Sequence, residues 1–244
     1  MKQVGRRALH VAPNDEKDRH SPADFVTFDC YGTLIDWERG IGDAFVSAAA
    51  AAGVELQAAA AVSAYMQIEP IVQAGSFRSY REVLREAAQR VANRFGWSLD
   101  ETTAEFLPRS LAGWRPFDDV RPALGRLRSA GYRLGILSNV DVDLLAASLE
   151  TLDVEFDLLV TAQEVGAYKP NTAHFDEARR RIGHATWLHA AQSYFHDVAP
   201  ARELGIRVAW INRRGEPPHG AALPDREFRT LEGLADWLTG DRSP

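Results

Sequence analysis

A short β-forming run, Phe25 to Phe28, breaks at once into Asp-Cys-Tyr-Gly-Thr, and the next seventy-odd residues carry helical patterning with no strand among them. From Tyr132 onward, strand-like and helix-like segments alternate almost to the end. That order severely limits the fold. Repeated β-α units make a parallel sheet with right-handed crossovers, so the first strand joins a sheet whose other strands come much later. The expected class is α/β: a Rossmann-like parallel sheet core with an inserted helical subdomain.

The helical block reads as ERGIGDAFVSAAAAAG, LQAAAAVSAYMQIEPIVQA, SYREVLREAAQRVANRFG and LDETTAEFLPRSLAG, punctuated by Gly53, Pro70, Gly75 and Gly96. Its alanine-rich parts suit close helix packing, because Ala has the highest helix propensity and a small side chain. After WRPFDDVRPAL come YRLGILSN, FDLLVTA, ATWLHAA and RVAWIN as strands. Helices fall between them at DLLAASLETL, from about Asn171 to Ile182 and around APARELG, with a last one near LEGLADWL. The expected division is a flexible tail over 1–23, a core over 24–37 and 114–244, and a helical subdomain over 38–113. GEPPHGAALPD reads as a surface loop.

Composition narrows the function. A formal net charge of -6 gives no support to nucleic-acid binding. A single cysteine, Cys30, excludes an internal disulfide framework or a multi-cysteine metal site and suits a reducing cytoplasm; it reads as a small buried hydrophobe. No apolar stretch of about twenty residues suggests a membrane span.

Four clusters stand just after expected strands: Asp29 to Leu34, Ser138-Asn139, Lys169-Pro170 and Gln192 to Asp197. A parallel sheet gathers the carboxyl ends of its strands at one crevice, which would bring the clusters together. A carboxylate acting as a nucleophile requires a nearby cation to keep it ionised and donors to orient it. Asp29, Thr33, Ser138 and Lys169 supply that set. Taken singly, each has a structural alternative, such as a turn-capping Asp or a solvated Lys-Pro step.

Together, FDCYGTLID, ILSN, YKPNTAHF and QSYFHD resemble the four motifs of the haloacid dehalogenase superfamily, over about residues 24 to 215. In that resemblance the helical block is the cap. The superfamily's phosphatases carry Asp two residues after the nucleophile and a metal-binding acid early in the fourth motif; here those places hold Tyr31 and Gln192. Tyr31 and the Ser193-x-x-x-Asp197 spacing are instead similar to the type II L-2-haloacid dehalogenases. The resemblance implies a metal-independent hydrolase without cofactor, acting on a small 2-haloalkanoic acid. Asp29 would displace halide to form an ester, and Asp197 would activate the water that releases a 2-hydroxy acid. Lys169 would keep both aspartates ionised, while Thr33 and Ser138 orient Asp29 or the substrate carboxylate. The substrate-binding candidates are Tyr31, Gln67, Asn139, Ser193, Tyr194 and His196. The resemblance also suggests a homodimer.

The sequence departs from this pattern at several places. The cap arginine that receives halide is replaced, the nearest equivalent step being Met66-Gln67; Arg78 or Arg81 is the expected substitute. Phe175 stands where the family has Tyr, and Tyr194 where it has Asn. Trp37, Phe77, Tyr80 and Trp114 are candidates for an apolar wall. His189 and His196, seven apart, make a poor metal pair; His196 is expected to line the pocket. The alternatives are displacement of another leaving group beside a carboxylate, such as a strained-ring amine, an atypical Mg-dependent phosphatase, and a binding protein without turnover.

Overall fold

The computed structural model describes residues 23–218 and 220–240. The expected N-terminal tail lies, except for Ala23, outside the described residues. Six parallel strands form one sheet: β1 (Phe25–Phe28), β2 (Arg133–Ser138), β3 (Leu158–Thr161), β4 (Trp187–Ala191), β5 (Arg207–Ile211) and β6 (Arg226–Phe228). Their order is β3-β2-β1-β4-β5-β6, and β1 pairs on both sides, Phe28 lying opposite Ile136 and Ala190. The chain first builds outward from β1 through β2 and β3, then restarts at β4 on the other side. The crevice between β1 and β4 is therefore the switch point, where ligands bind in such sheets.

Between β1 and β2 the chain forms α1 (Trp37–Ala51), α2 (Ala58–Gln73), α3 (Tyr80–Arg94), α4 (Glu101–Ala104) and α5 (Phe106–Ser110), closing with a tight turn over Leu111–Gly113. The last expected helix of this block is thus two short ones, with Pro108 inside the second. The remaining helices are α6 (Val120–Ser129), α7 (Val142–Leu152), α8 (Ala162–Val165), α9 (Ala173–Ile182), α10 (Ala199–Glu203) and α11 (Leu231–Thr239). The short edge strand β6, with only three residues, carries too little alternation to be read from sequence.

The strands sort their side chains by the two-residue period of extended chain. Val26, Phe28, Leu134, Ile136, Leu188 and Ile211 pack with residues of α6, α7 and α11, and that cluster runs on into Ile41, Phe45, Leu84 and Leu111 of the helical insertion. Phe25, Leu137, Val160, Val208 and Trp210 form a second cluster with Phe175 and Ala178 of α9 and Ala201 of α10. Because the first cluster is shared, the insertion is seated on the sheet by buried apolar contact.

Polar ties add direction to that seating. The Asp141 carboxylate, just before α7, accepts the backbone N–H of Tyr80 at 2.9 Å and of Arg81 at 2.8 Å. A core residue thereby satisfies donors that the first turn of α3 leaves open, beside the Ser79–Glu82 capping box. Tyr168 donates its hydroxyl to the Arg78 carbonyl at 2.9 Å. Gly40 lets α1 lie against Trp114, since a Cβ there would overlap the indole ring.

Candidate active site

At the end of β1 the Asp29 N–H donates to the Ala190 carbonyl at 3.2 Å, which pins the residue at the β1–β4 crevice. The chain then turns sharply, with Leu34 and Ile35 both donating to the Cys30 carbonyl. Gly32 is at φ +94, a left-handed conformation that side chains resist, and a Cβ there would crowd Trp37 Nε1 at 3.2 Å and Gln192 Oε1 at 3.3 Å. The turn brings Thr33 back toward Asp29. Its hydroxyl donates to Asp29 Oδ2 at 2.9 Å and accepts the Gln192 N–H at 2.9 Å.

Lys169 reaches the same point from the loop after α8. Its Nζ donates to Asp29 Oδ1 at 3.0 Å, Asp197 Oδ1 at 2.6 Å and the Leu137 carbonyl at 2.7 Å. Lys169 and Asp197 are fully buried, and the Asp29 side chain is 11% exposed. A buried ammonium is tolerable only with such partners. Burial works against its charge, but the two aspartates outweigh it and raise its pKa. Burial likewise pushes the Asp29 carboxyl up, Lys169 pulling against it and Asp197 adding to the rise. For Asp197, burial is outweighed by Lys169 and His189, which hold it well below the usual carboxylate range.

His189 is the fourth member. Its Nε2 lies 3.1 Å from Asp197 Oδ1 and its Nδ1 2.8 Å from Thr27 Oγ1, which accepts from Trp187 Nε1 at 2.7 Å. With Trp187 a fixed donor and Asp197 a carboxylate, one arrangement satisfies every atom: Thr27 donates to Nδ1 and Nε2–H donates to Asp197. Asp197 Oδ2 and Ser138 Oγ are buried and have no hydrogen-bond partner. Phe175 packs edge-on to His189 at 5.3 Å, behind the carboxylates. The departure at that position therefore changes the support of His189, not the cavity wall. Cys30 is fully buried, as expected of a small hydrophobe.

A cavity of about 370 Å³ opens over this cluster, between the sheet and the helical insertion. Its floor is Asp29, Ser138, Asn139, Lys169, Ser193, His196 and Asp197, so the four sequence clusters do converge. Asn139 is held by Lys169, its side chain donating to the Lys169 carbonyl and accepting from the Lys169 N–H. Ser193 and His196 bond to each other through Oγ and Nδ1 at 3.0 Å. Tyr31 also lines the cavity, with its hydroxyl 2.9 Å from Ser148 Oγ and its ring edge-on to Trp114. Burial pushes that phenol far up, so it is neutral. Trp37, Tyr80 and Trp114 line the cavity; Phe77 instead packs on Tyr168.

Four candidates do not reach it. Gln67 is exposed and accepts from Arg94 Nη1 at 2.8 Å, while the neighbouring Met66, itself largely exposed, borders the cavity. Arg78 is held by Glu86 and the Val72 carbonyl. Arg81 bridges Glu105 and Asp143, tying the insertion to α7. Tyr194 turns into the core against Trp210 and donates to the Ala222 carbonyl. In each case a nearer partner captures the side chain.

Other lining residues were not legible in advance: Tyr65, Glu69 and Gln73 on the inner face of α2, and Arg214 and Glu216 after β5. The spacing of Tyr65, Met66, Glu69 and Gln73 is that of one helix face, a signal that could have grouped them. His189 is not half of a metal pair; its place in β4, two residues before the strand's carboxyl end, is the signal that puts it behind the site.

A parallel sheet with this helical insertion and an Asp–Lys–Asp cluster at its switch point defines the class, and a family model for haloacid dehalogenase-like hydrolases matches residues 23–194. The chain belongs to that family and is a hydrolase. It is 28% identical to the (S)-2-haloacid dehalogenase H-109 of Pseudomonas putida over 89% of this chain and 98% of the relative. Among solved structures, its fold resembles the L-2-haloacid dehalogenase of Xanthobacter autotrophicus with a TM-score of 0.77 at 21% identity, covering 90% of this chain and 99% of that one. A defluorinating L-2-haloacid dehalogenase matches with a TM-score of 0.76 at 24% identity, over 87% and 94% of the two chains.

Proposed function

We propose that the chain displaces halide from a small 2-haloalkanoic acid through an ester on Asp29, with residues 38–113 acting as a cap over the site. The observation that carries this reading is Lys169 Nζ, held 3.0 Å from Asp29 and 2.6 Å from Asp197 beneath one cavity. An Asp29 oxygen attacks the carbon bearing the halogen, the C–halogen pair leaves as halide, and the carbon inverts. Water then adds to the Asp29 carbonyl carbon as Asp197 takes its proton. The bond from that carbon to the ester oxygen breaks, the electron pair stays on the oxygen, the proton passes to it, and the 2-hydroxy acid departs, leaving Asp29 as a free carboxylate. Lys169 stabilises both carboxylates. Ser138 Oγ, buried and unpartnered, and Ser193 are the donors placed for a substrate carboxylate.

The residues do not fit a magnesium-dependent phosphatase. Hard cations want several carboxylate or carbonyl oxygens, and here an ammonium already sits between the two aspartates, while Gln192 stands at the place of a further acid. Tyr31 cannot replace the missing acid, its hydroxyl being engaged by Ser148. Glu69 in the cavity wall favours a second reading, displacement of an amine next to a carboxylate, because an ammonium would suit a carboxylate there.

The test is halide release from L- and D-2-chloropropionate, chloroacetate and fluoroacetate in EDTA, by wild type and Asp29→Asn. Stereoselective release by wild type, reduced at least about 10³-fold in the variant, is expected, since an amide is a poor nucleophile. No release from any of the four by folded wild type would discard the halide reading.

A further inference from the structure

The cavity that holds the Asp29 cluster also has a carboxyl group in its helical wall. Glu69, on α2, lines the cavity together with Tyr65 and Tyr80 and accepts from Gln73 Nε2 at 3.0 Å. The Tyr65 and Tyr80 hydroxyls lie 3.1 Å apart, linking α2 to α3. No Lys, Arg or His of α2 or α3 lines this cavity among the described residues. A leaving anion next to an ionised Glu69 would meet like charge at close range, whereas a protonated Glu69 offers an O–H donor.

We infer that Glu69 works in its protonated form as the hydrogen-bond donor that receives the departing halide, in place of a cationic side chain. This rests on the halide reading above. The surroundings suit it. Burial pushes the carboxyl up to about 7, with the Tyr80 hydroxyl opposing the shift. When Glu69 is ionised, the neighbouring phenol is drawn toward it as a donor; when it is protonated, the O–H donors of this cluster are free to turn to an anion in the cavity.

Other titratable groups face Glu69 from every side of the cavity. Tyr65 on α2, Tyr80 on α3 and Tyr168 on the loop before Lys169 are phenols all pushed upward by burial, and so stay neutral. Across the cavity stand Lys169 and Asp197, His196, whose burial moves it below its ordinary value, and Asp29, which burial pushes up. Because Asp29 must be ionised to attack, its titration would make the rate rise with pH, opposite to that of Glu69. Arg214 and Glu216 at the rim are paired, Arg214 with Glu38 as well. Arg78 is held by Glu86 and a carbonyl.

The experiment is the pH dependence of kcat/KM for L-2-chloropropionate in wild type and Glu69→Gln, together with chloride binding read by chloride NMR line broadening. kcat/KM reports ionisation in the free enzyme, so wild type is expected to lose about tenfold between pH 6 and pH 8. Glutamine is neutral at every pH and still a donor, so the variant is expected to lose this decline and outpace wild type at pH 8. Chloride broadening is expected to be stronger at pH 6 than at pH 8 in wild type and indifferent to pH in the variant. A wild-type profile that is flat or rising over this range, or a decline retained in the variant, overturns the inference while leaving the dehalogenase reading intact. If no haloacid is turned over, the dehalogenase reading falls and the leaving-group role of Glu69 falls with it; chloride broadening with the expected pH dependence would then leave Glu69 only as a donor in an anion site.

Discussion

Lys169 Nζ lies 2.6 Å from Asp197 Oδ1, the same oxygen that His189 approaches at 3.1 Å, and this leaves Asp197 Oδ2 as the buried oxygen without a partner. Two cationic or polar donors on one oxygen hold Asp197 ionised, and the other oxygen is the one available to take a proton. The geometry divides the labour between the aspartates: Asp29 opens on the cavity, and Asp197 stands behind it.

Asp197→Asn is therefore expected to stall the second half of the reaction. Formation of the ester on Asp29 would continue, because halide departure needs no base, while turnover falls by about 10²- to 10⁴-fold. Mass spectrometry after incubation with 2-chloropropionate is expected to show an adduct on the peptide containing Asp29. Full turnover with no adduct would remove Asp197 from the role of base.

Asp141 receives the N–H groups of both Tyr80 and Arg81, so it sets where α3 begins and how Tyr80 meets the cavity. Asp141→Ala is expected to cost about 1–2 kcal/mol of stability, as loss of a helix cap does, and to raise KM several-fold. Ser79→Ala removes a cap on the same turn without touching the core, and is expected to cost about 1 kcal/mol with little change in KM. Urea midpoints and KM for the pair decide the matter; equal KM values in both would mean that Asp141 acts only on stability.

His174, buried in α9 with Nε2 3.1 Å from the Ser138 carbonyl, has its pKa lowered to about 4, first by burial and then by the charge of Lys169. Its folded pKa is below the unfolded value of about 6.5, so the unfolded chain binds the proton more readily. The stability it contributes is complete above pH 6.5 and is lost as the pH falls from there through 4. The loss amounts to at most about 3 kcal/mol. Urea unfolding at pH 7 and pH 4.5 is expected to show a smaller acid loss in His174→Asn than in wild type; identical losses would place acid sensitivity elsewhere.

How far the sequence could be read depended on whether the information was local. The strand Phe25–Phe28, the turn through Gly32 and the order of β-α units are local patterns, and they placed Asp29, Ser138, Lys169 and Asp197 at one sheet edge. Most helices followed too, though not α6 or the single turn α8, and Pro108 split the last helix of the insertion into short pieces. Gln67, Arg78, Arg81 and Tyr194 lie away from the cavity because a long polar side chain goes to whichever partner packing brings near, and partners such as Glu105 and Asp143 lie far along the chain. Likewise, nothing local marked Glu69 as an inward-facing acid.

By itself, then, the sequence determined the sheet, the insertion point and the residues that strand ends must bring together, since backbone periodicity and turn chemistry are written residue by residue. Only the tertiary structure decided which way α2 turns, which arginines are occupied, and which oxygen of Asp197 remains unpaired. Those outcomes depend on the packing of the insertion against the sheet, where small rotations choose between a side chain in the cavity and one bound to a neighbour.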